Sequence, residues 1–120
     1  MIIGIGTDIV AVERFTPWEQ YSAERLHRVF TTMELAQELR AESLAVRFAA
    51  KEAFAKAIGT GVRAPVLLTA IAVDHDALGK PLVRCRGALA DLVEAKGLST
   101  HLSISDEATH AVAFVILEQA

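Results

Sequence analysis

Five side chains are placed to do chemistry together. Asp8 sits in an apolar, glycine-interrupted opening, MIIGIGTDIV, and Arg47, Lys51, Glu52 and Lys56 punctuate the Ala- and Phe-rich stretch RFAAKEAFAKAIGTG at 47–61. Mg2+ takes one or two protein carboxylates and completes its shell with waters and substrate phosphates. Asp8 beside Glu52 would supply that pair, and basic groups around it would hold the rest of a polyphosphate. The residue types therefore point to a metal–phosphate site. Plainer readings stand beside this one. Glu52 four residues before Lys56 is a favourable surface pair of about 0.3–0.5 kcal/mol. Arg47 and Lys51, also four apart, repel unless something negative lies between them, either an anionic ligand or a neighbouring Asp or Glu. A hydrogen bond from a turn could satisfy Asp8.

Two elements must position these groups. The β-branched content of MIIGIGTDIV predicts a strand. Alternation puts Ile3, Ile5, Thr7 and Ile9 on one face, and Ile2, Gly4, Gly6, Asp8 and Val10 on the other. The second face is bare at Gly4 and Gly6, so another backbone or a ligand can come close beside Asp8. A helix is expected from about Ser43 to Ile58, with Gly59 at its C-terminal end and 59–61 as a corner. Its small residues, Val46, Ala49, Ala50, Ala53 and Ala57, share a face, while Phe48 and Phe54 lie elsewhere. Such a helix is apolar nearly all round and mostly buried.

Thr16, Pro17 and Glu19 carry an N-cap and capping-box signal for a helix over 16–30, and Thr31 with Glu34 repeats it for a short helix over 31–40. Strands are expected at 66–75, from Pro81 through Arg86, at 101–105 and over 111–118, with a helix over 87–97. The segment HLSISDEATHAVAFVILE (101–118) reads as a hairpin. The order β-α-α-α-β-β-α-β-β predicts an α+β fold, a small, mostly antiparallel sheet packed against helices.

At 120 residues, 52% apolar and only 6% aromatic, the chain reads as a single domain, 1–120, with a core of Ala, Val, Ile and Leu. A net charge of −3 argues against a nucleic-acid binder that works by bulk electrostatics. The single Cys85 excludes an internal disulfide and a Cys-rich zinc site, and fits a reducing compartment. No apolar run approaches membrane-spanning length and the start lacks a basic leader, so a soluble, cytoplasmic protein is expected.

The blocks GIGTDIVAVERF, RFAAKEAFAKAIGTG, GKPLV and HLSISDEATHAVAFVILE resemble the holo-[acyl-carrier-protein] synthases, the small bacterial 4′-phosphopantetheinyl transferases. Either GTDIV or KEA alone would be weak. The four blocks in order, over nearly the whole chain, are specific. The resemblance implies transfer of the 4′-phosphopantetheine arm of coenzyme A to a serine of apo acyl carrier protein, in support of fatty acid biosynthesis, with adenosine 3′,5′-bisphosphate released. It implies Asp8 and Glu52 as Mg2+ ligands, and Glu52 and Lys56 as catalytic groups. Arg47, with Lys51, and the corner Gly59, Thr60 and Gly61 fall in the coenzyme A-binding region. So do Ser103 and Ser105 of SISD, where the family pattern is SxSH and Asp106 replaces the histidine. His101 or His110 could stand in for that imidazole.

The resemblance also implies a homotrimer with active sites between subunits. It implies docking of the acidic carrier protein on the first helix through Arg14, Arg25 and Arg28, with Leu26, Val29 and Trp18 as apolar contacts. Two other classes could use the same carboxylates. A phosphohydrolase would use water as acceptor, and a non-catalytic coenzyme A-binding module would bind without turnover. Asp8, Glu52 and Lys56 occurring together argue against the second.

Overall fold

β1 (Ile2–Ala11) pairs antiparallel with β5 (His110–Gln119), which pairs antiparallel with β4 (Leu98–Asp106). The result is a three-stranded sheet in the order β1-β5-β4. β2 (Ile71–His75) and β3 (Pro81–Cys85) form a separate antiparallel ribbon. The computed structural model describes residues 1–37 and 39–120. Its helices are α1 (Ala23–Leu26), α2 (Thr32–Leu35), α3 (Ala41–Ile58) and α4 (Gly87–Ala95). The expected α+β architecture and element order are both present.

α3 is the spine of the core. Ala45, Ala49, Ala50, Ala53 and Ala57 are buried, as are Ala111, Ala113, Val115 and Leu117 of β5. Small residues on both elements let helix and sheet close up. The closest approach is at β1, where a Cβ on Gly4 would collide with the carbonyl oxygen of Ala57, and one on Gly6 with that of Ala53. Only glycine fits there. The bare strand face is thus filled by helix backbone. β1 and α3 run in opposite directions, and the next inward position along β1 is Asp8. Gly59 ends the helix in the left-handed region, at φ 96°.

The region between β1 and α3 departs from expectation. Instead of one helix from Thr16, the chain makes two 3-10 turns, Val12–Phe15 and Pro17–Gln20, and then the single-turn α1. Thr16 has helical dihedrals itself and caps nothing with its side chain. Glu19 turns away from Thr16, and its Oε2 accepts the backbone N–H of Ala41 at 2.6 Å, closing the start of α3. Tertiary packing overrides local propensity here. Trp18 sits among Phe15, Tyr21, Phe30 and Phe48, with ring centroids 4.7 Å from Phe15 and 5.5 Å from Tyr21. A continuous helix would not wrap these rings around Phe48.

The helix expected over 31–40 is only the turn Thr32–Leu35, although the Thr31–Glu34 capping box forms in full; position 38 of that stretch lies outside the described residues. β2 starts at Ile71 rather than 66, after a 3-10 turn at Leu68–Ala70. β4 starts at Leu98, three residues before the expected strand. The outer face of the three-stranded sheet exposes Ile3, Ile5, Ile9, Val112 and Phe114.

Candidate functional site

Asp8 lies on the inward face of β1 opposite Ala113, one step beyond the glycine contact with α3. Glu52 and Lys56 project from α3 one turn apart. Helical side chains lean toward the N-terminus of their helix. Because the strand runs the other way, that lean carries Lys56 along β1 to Asp8. Its Nζ donates to Asp8 Oδ1 at 3.1 Å and to the carbonyl of Thr7 at 2.9 Å. The ammonium therefore pairs across elements with Asp8, in place of the expected i,i+4 partner Glu52.

The Glu52 carboxyl is raised above its ordinary value, first by burial and then by the charge of Asp8. Lys56 and Arg14 act in the opposite sense. Arg14 stands over the Phe48 ring, 4.8 Å from its centroid. Asp8 near enough to act on Glu52, with a lysine and an arginine beside them, makes a compact charged cluster at the strand–helix junction. Among the described residues no group of three His, Cys, Asp or Glu could hold a metal. The donor set is a carboxylate pair, which suits a hard divalent cation that shares its remaining positions with phosphate oxygens and water. It does not suit a structural zinc site.

Arg47 is buried and its Nη1 donates to Ser43 Oγ. It lines a cleft of about 260 Å³ together with Arg40, His75 and Asp106. Asp106 thus lies on the same cleft as Arg47, as SISD implied. The imidazole on that cleft is His75, at the end of β2, rather than His101 or His110. Sequence reasoning missed His75, because only the hairpin pairing of β2 with β3 brings that end beside α3. His101 pairs with Glu118 at 3.0 Å, and His110 contacts Thr109 Oγ1.

Lys51 is a correction. Its ammonium is fully buried, 2.6 Å from the equally buried Glu34, and also donates to the carbonyls of Leu68 and Ile71. Glu34 further accepts the N–H groups of Thr31 and Val73, each at 3.0 Å. The negative group that offsets Lys51 is a neighbouring glutamate, and the side chain is sealed away from any anionic ligand.

Gly59 and Gly61 both donate their N–H groups to the Ala55 carbonyl, at 3.2 and 3.3 Å, and Thr60 Oγ1 donates to Gly61 O at 2.9 Å. The corner's polar groups are spent on ending the helix. Ser103 and Ser105 alternate with the half-buried Leu102 and Ile104, so they lie on the outer sheet face and not on the Arg47 cleft. Arg25 stacks over Tyr21 at 3.7 Å and Arg28 is exposed in the turn after α1. Leu26 is buried in the core and is not open for docking; Trp18 and Val29 are half-buried against that core.

Residues 4–115 match the 4′-phosphopantetheinyl transferase superfamily. Over the full length of both proteins the chain is 56% identical to the holo-[acyl-carrier-protein] synthase of Dechloromonas aromatica. The chain belongs to the 4′-phosphopantetheinyl transferase superfamily. Its fold superposes on the crystal structure of the synthase from Neisseria meningitidis with a TM-score of 0.89 at 43% identity, covering 99% of this chain and 100% of that one. The synthase of Bacillus anthracis, solved in complex with CoA (3′,5′-ADP), matches with a TM-score of 0.81 at 35% identity, covering 100% and 99%. Within this phosphopantetheinyl transferase fold, Asp8, Glu52, Lys56 and Arg14 form one cluster, Arg47 and Asp106 a second, and Ser103 and Ser105 a third on the opposite face.

Proposed function

We infer that this protein transfers the 4′-phosphopantetheine group of coenzyme A to a serine of apo acyl carrier protein, in support of fatty acid biosynthesis. The observation that carries the reading is the Asp8–Glu52–Lys56 cluster, built at the strand–helix junction of a chain that matches synthases along its whole length. Asp8 and Glu52 would hold Mg2+, which when bound would supply charge neutralisation on the pyrophosphate.

The serine oxygen attacks the β-phosphorus of coenzyme A. The bond to the bridging oxygen breaks, and adenosine 3′,5′-bisphosphate leaves with the electron pair. Glu52, directly or through a water, takes the serine proton. Lys56 places positive charge on the transferring phosphoryl group. Arg47 anchors coenzyme A from its cleft, and the 59–61 corner shapes the neighbouring wall.

Two surfaces complete the reading. The exposed outer sheet face, with Ile5 at 62% and Ile9 at 65% accessible, suits burial against further copies of this chain in a homotrimer. Ser103 and Ser105 on that face would then line coenzyme A pockets between subunits. Arg14, Arg25 and Arg28 form a basic approach for an acidic carrier protein. No helix of the described chain is long and apolar enough to cross a membrane, and the cytoplasm is the compartment proposed.

Mass spectrometry of apo acyl carrier protein after incubation with this protein, coenzyme A and Mg2+ tests the reaction. A gain of one phosphopantetheine per carrier is expected. An unmodified carrier with coenzyme A hydrolysed would favour the phosphohydrolase instead.

A further inference from the structure

Lys56 holds an unexpected partner. It lies one turn after Glu52, yet its ammonium reaches past that carboxylate to Asp8 Oδ1 and the Thr7 carbonyl, both on β1. A divalent cation bound by Asp8 would share a carboxylate whose Oδ1 this ammonium already engages. A positive charge 3.1 Å from the same oxygen opposes a second cation there.

The two partners differ in freedom to move. Asp8 is a short side chain, 16% accessible, on a strand clamped to α3, whereas Lys56 is 53% accessible on a flexible four-carbon stem. The cation is the partner that can swing away. With Lys56 removed, Asp8 and Glu52 would face each other with Arg14 as the remaining nearby cation acting on Glu52. With a divalent ion in place, the carboxylate charge is matched, and the ammonium is left to seek the next anion available, a phosphate.

We propose that Lys56 is a resident counter-ion, holding Asp8 until a divalent cation displaces it and thereby frees its ammonium for the phosphates of coenzyme A. The proposal rests on the metal and coenzyme A reading above and adds an order of events to it. Lys56 has two successive partners, and metal arrival arms the phosphate-binding one. The exchange costs metal affinity, because an existing ion pair must break first.

Direct binding of Mn2+, followed by the loss of the free-ion paramagnetic resonance signal, tests this on the whole protein without turnover. Asp8→Ala should lose most Mn2+ binding. Lys56→Met should bind Mn2+ about two- to fivefold more tightly than the unaltered chain, the range an ion pair of this exposure allows, while transferring phosphopantetheine more slowly. A second readout uses the unaltered protein. Acetic anhydride labelling of Lys56, read by peptide mass spectrometry, should speed up on adding Mg2+, while the exposed Lys80 and Lys96 keep their rates. Unchanged or weaker Mn2+ binding by Lys56→Met, or Lys56 labelling indifferent to Mg2+, overturns the counter-ion role and leaves the metal site standing. Equal Mn2+ binding by the unaltered chain and Asp8→Ala removes the metal site itself, and the counter-ion role with it.

Discussion

Replacing Lys51 with methionine separates a structural charge from a ligand-binding one. In the fold, Lys51 is fully buried, its ammonium shared between Glu34 and two carbonyl oxygens. Methionine fills much the same volume but leaves the Glu34 carboxylate buried without a cation, with the Thr31 and Val73 N–H groups and the Thr31 hydroxyl for partners. Breaking one side of a fully buried pair costs about 3–5 kcal/mol. For a domain of this size that lowers Tm by about 10–20 °C. Urea unfolding followed by circular dichroism, at one protein concentration, gives the number directly. Glu34→Gln with Lys51→Met should regain part of the loss, because the buried charge is gone, although the single amide oxygen can accept from only one of the Thr31 and Val73 N–H groups, which reach different Glu34 oxygens. At a temperature where Lys51→Met is folded, its KM for coenzyme A should match that of the unaltered chain. A stable Lys51→Met, losing under about 1 kcal/mol, together with a raised KM for coenzyme A, would refute the burial argument and return Lys51 to the ligand-binding set.

Asp8→Ala and Glu52→Ala should each abolish most transfer while the circular dichroism spectrum is kept; near-normal rates in either would remove it from the site. Burial and the Asp8 charge raise the Glu52 carboxyl above its ordinary value, so in the metal-free protein it takes up its proton at a higher pH than an exposed glutamate. Side-chain carboxyl NMR of the metal-free protein should show Glu52 protonating before the exposed glutamates on acidification, and a Glu52 that titrates together with them would refute that effect of burial. Gly6→Ala drives a methyl into the Ala53 carbonyl and should destabilise the fold by about 1–3 kcal/mol or more in urea unfolding, with transfer reduced as α3 shifts. Arg25→Glu and Arg28→Glu should raise the KM for carrier protein, more so at low salt, and leave that for coenzyme A unchanged. Arg14→Glu should lower kcat as well, because Arg14 also acts on the Glu52 charge.

The site was most legible where chemistry and periodicity coincide. Asp8 on a glycine-bare strand face, and Glu52 on a helix apolar all round, can both be read from alternation and residue size. So can the close approach at Gly4 and Gly6, since a missing side chain on an inward face invites a neighbour. Long-range pairing was not legible. Glu19 carries a sound local capping signal from Thr16, yet it serves the start of a helix 22 residues away. Glu34 makes the capping box that spacing foretells and in addition anchors Lys51 and β2, which nothing local announces. His75 enters the Arg47 cleft through hairpin geometry alone. Residues with one partner nearby in sequence were readable; those with a second, distant partner were not.

The contact of β1 with α3 is made by main chain, Gly4 and Gly6 lying on the carbonyls of Ala57 and Ala53. The spacing of Asp8 from Glu52 and Lys56 is therefore gauged by peptide thickness and not by the shape of any packed side chain. Interior residues elsewhere can be exchanged, in the laboratory or over generations, without resetting that gauge. Efforts to redesign this protein have a wide field in the rest of its interior, and almost none along the few ångströms where strand and helix touch.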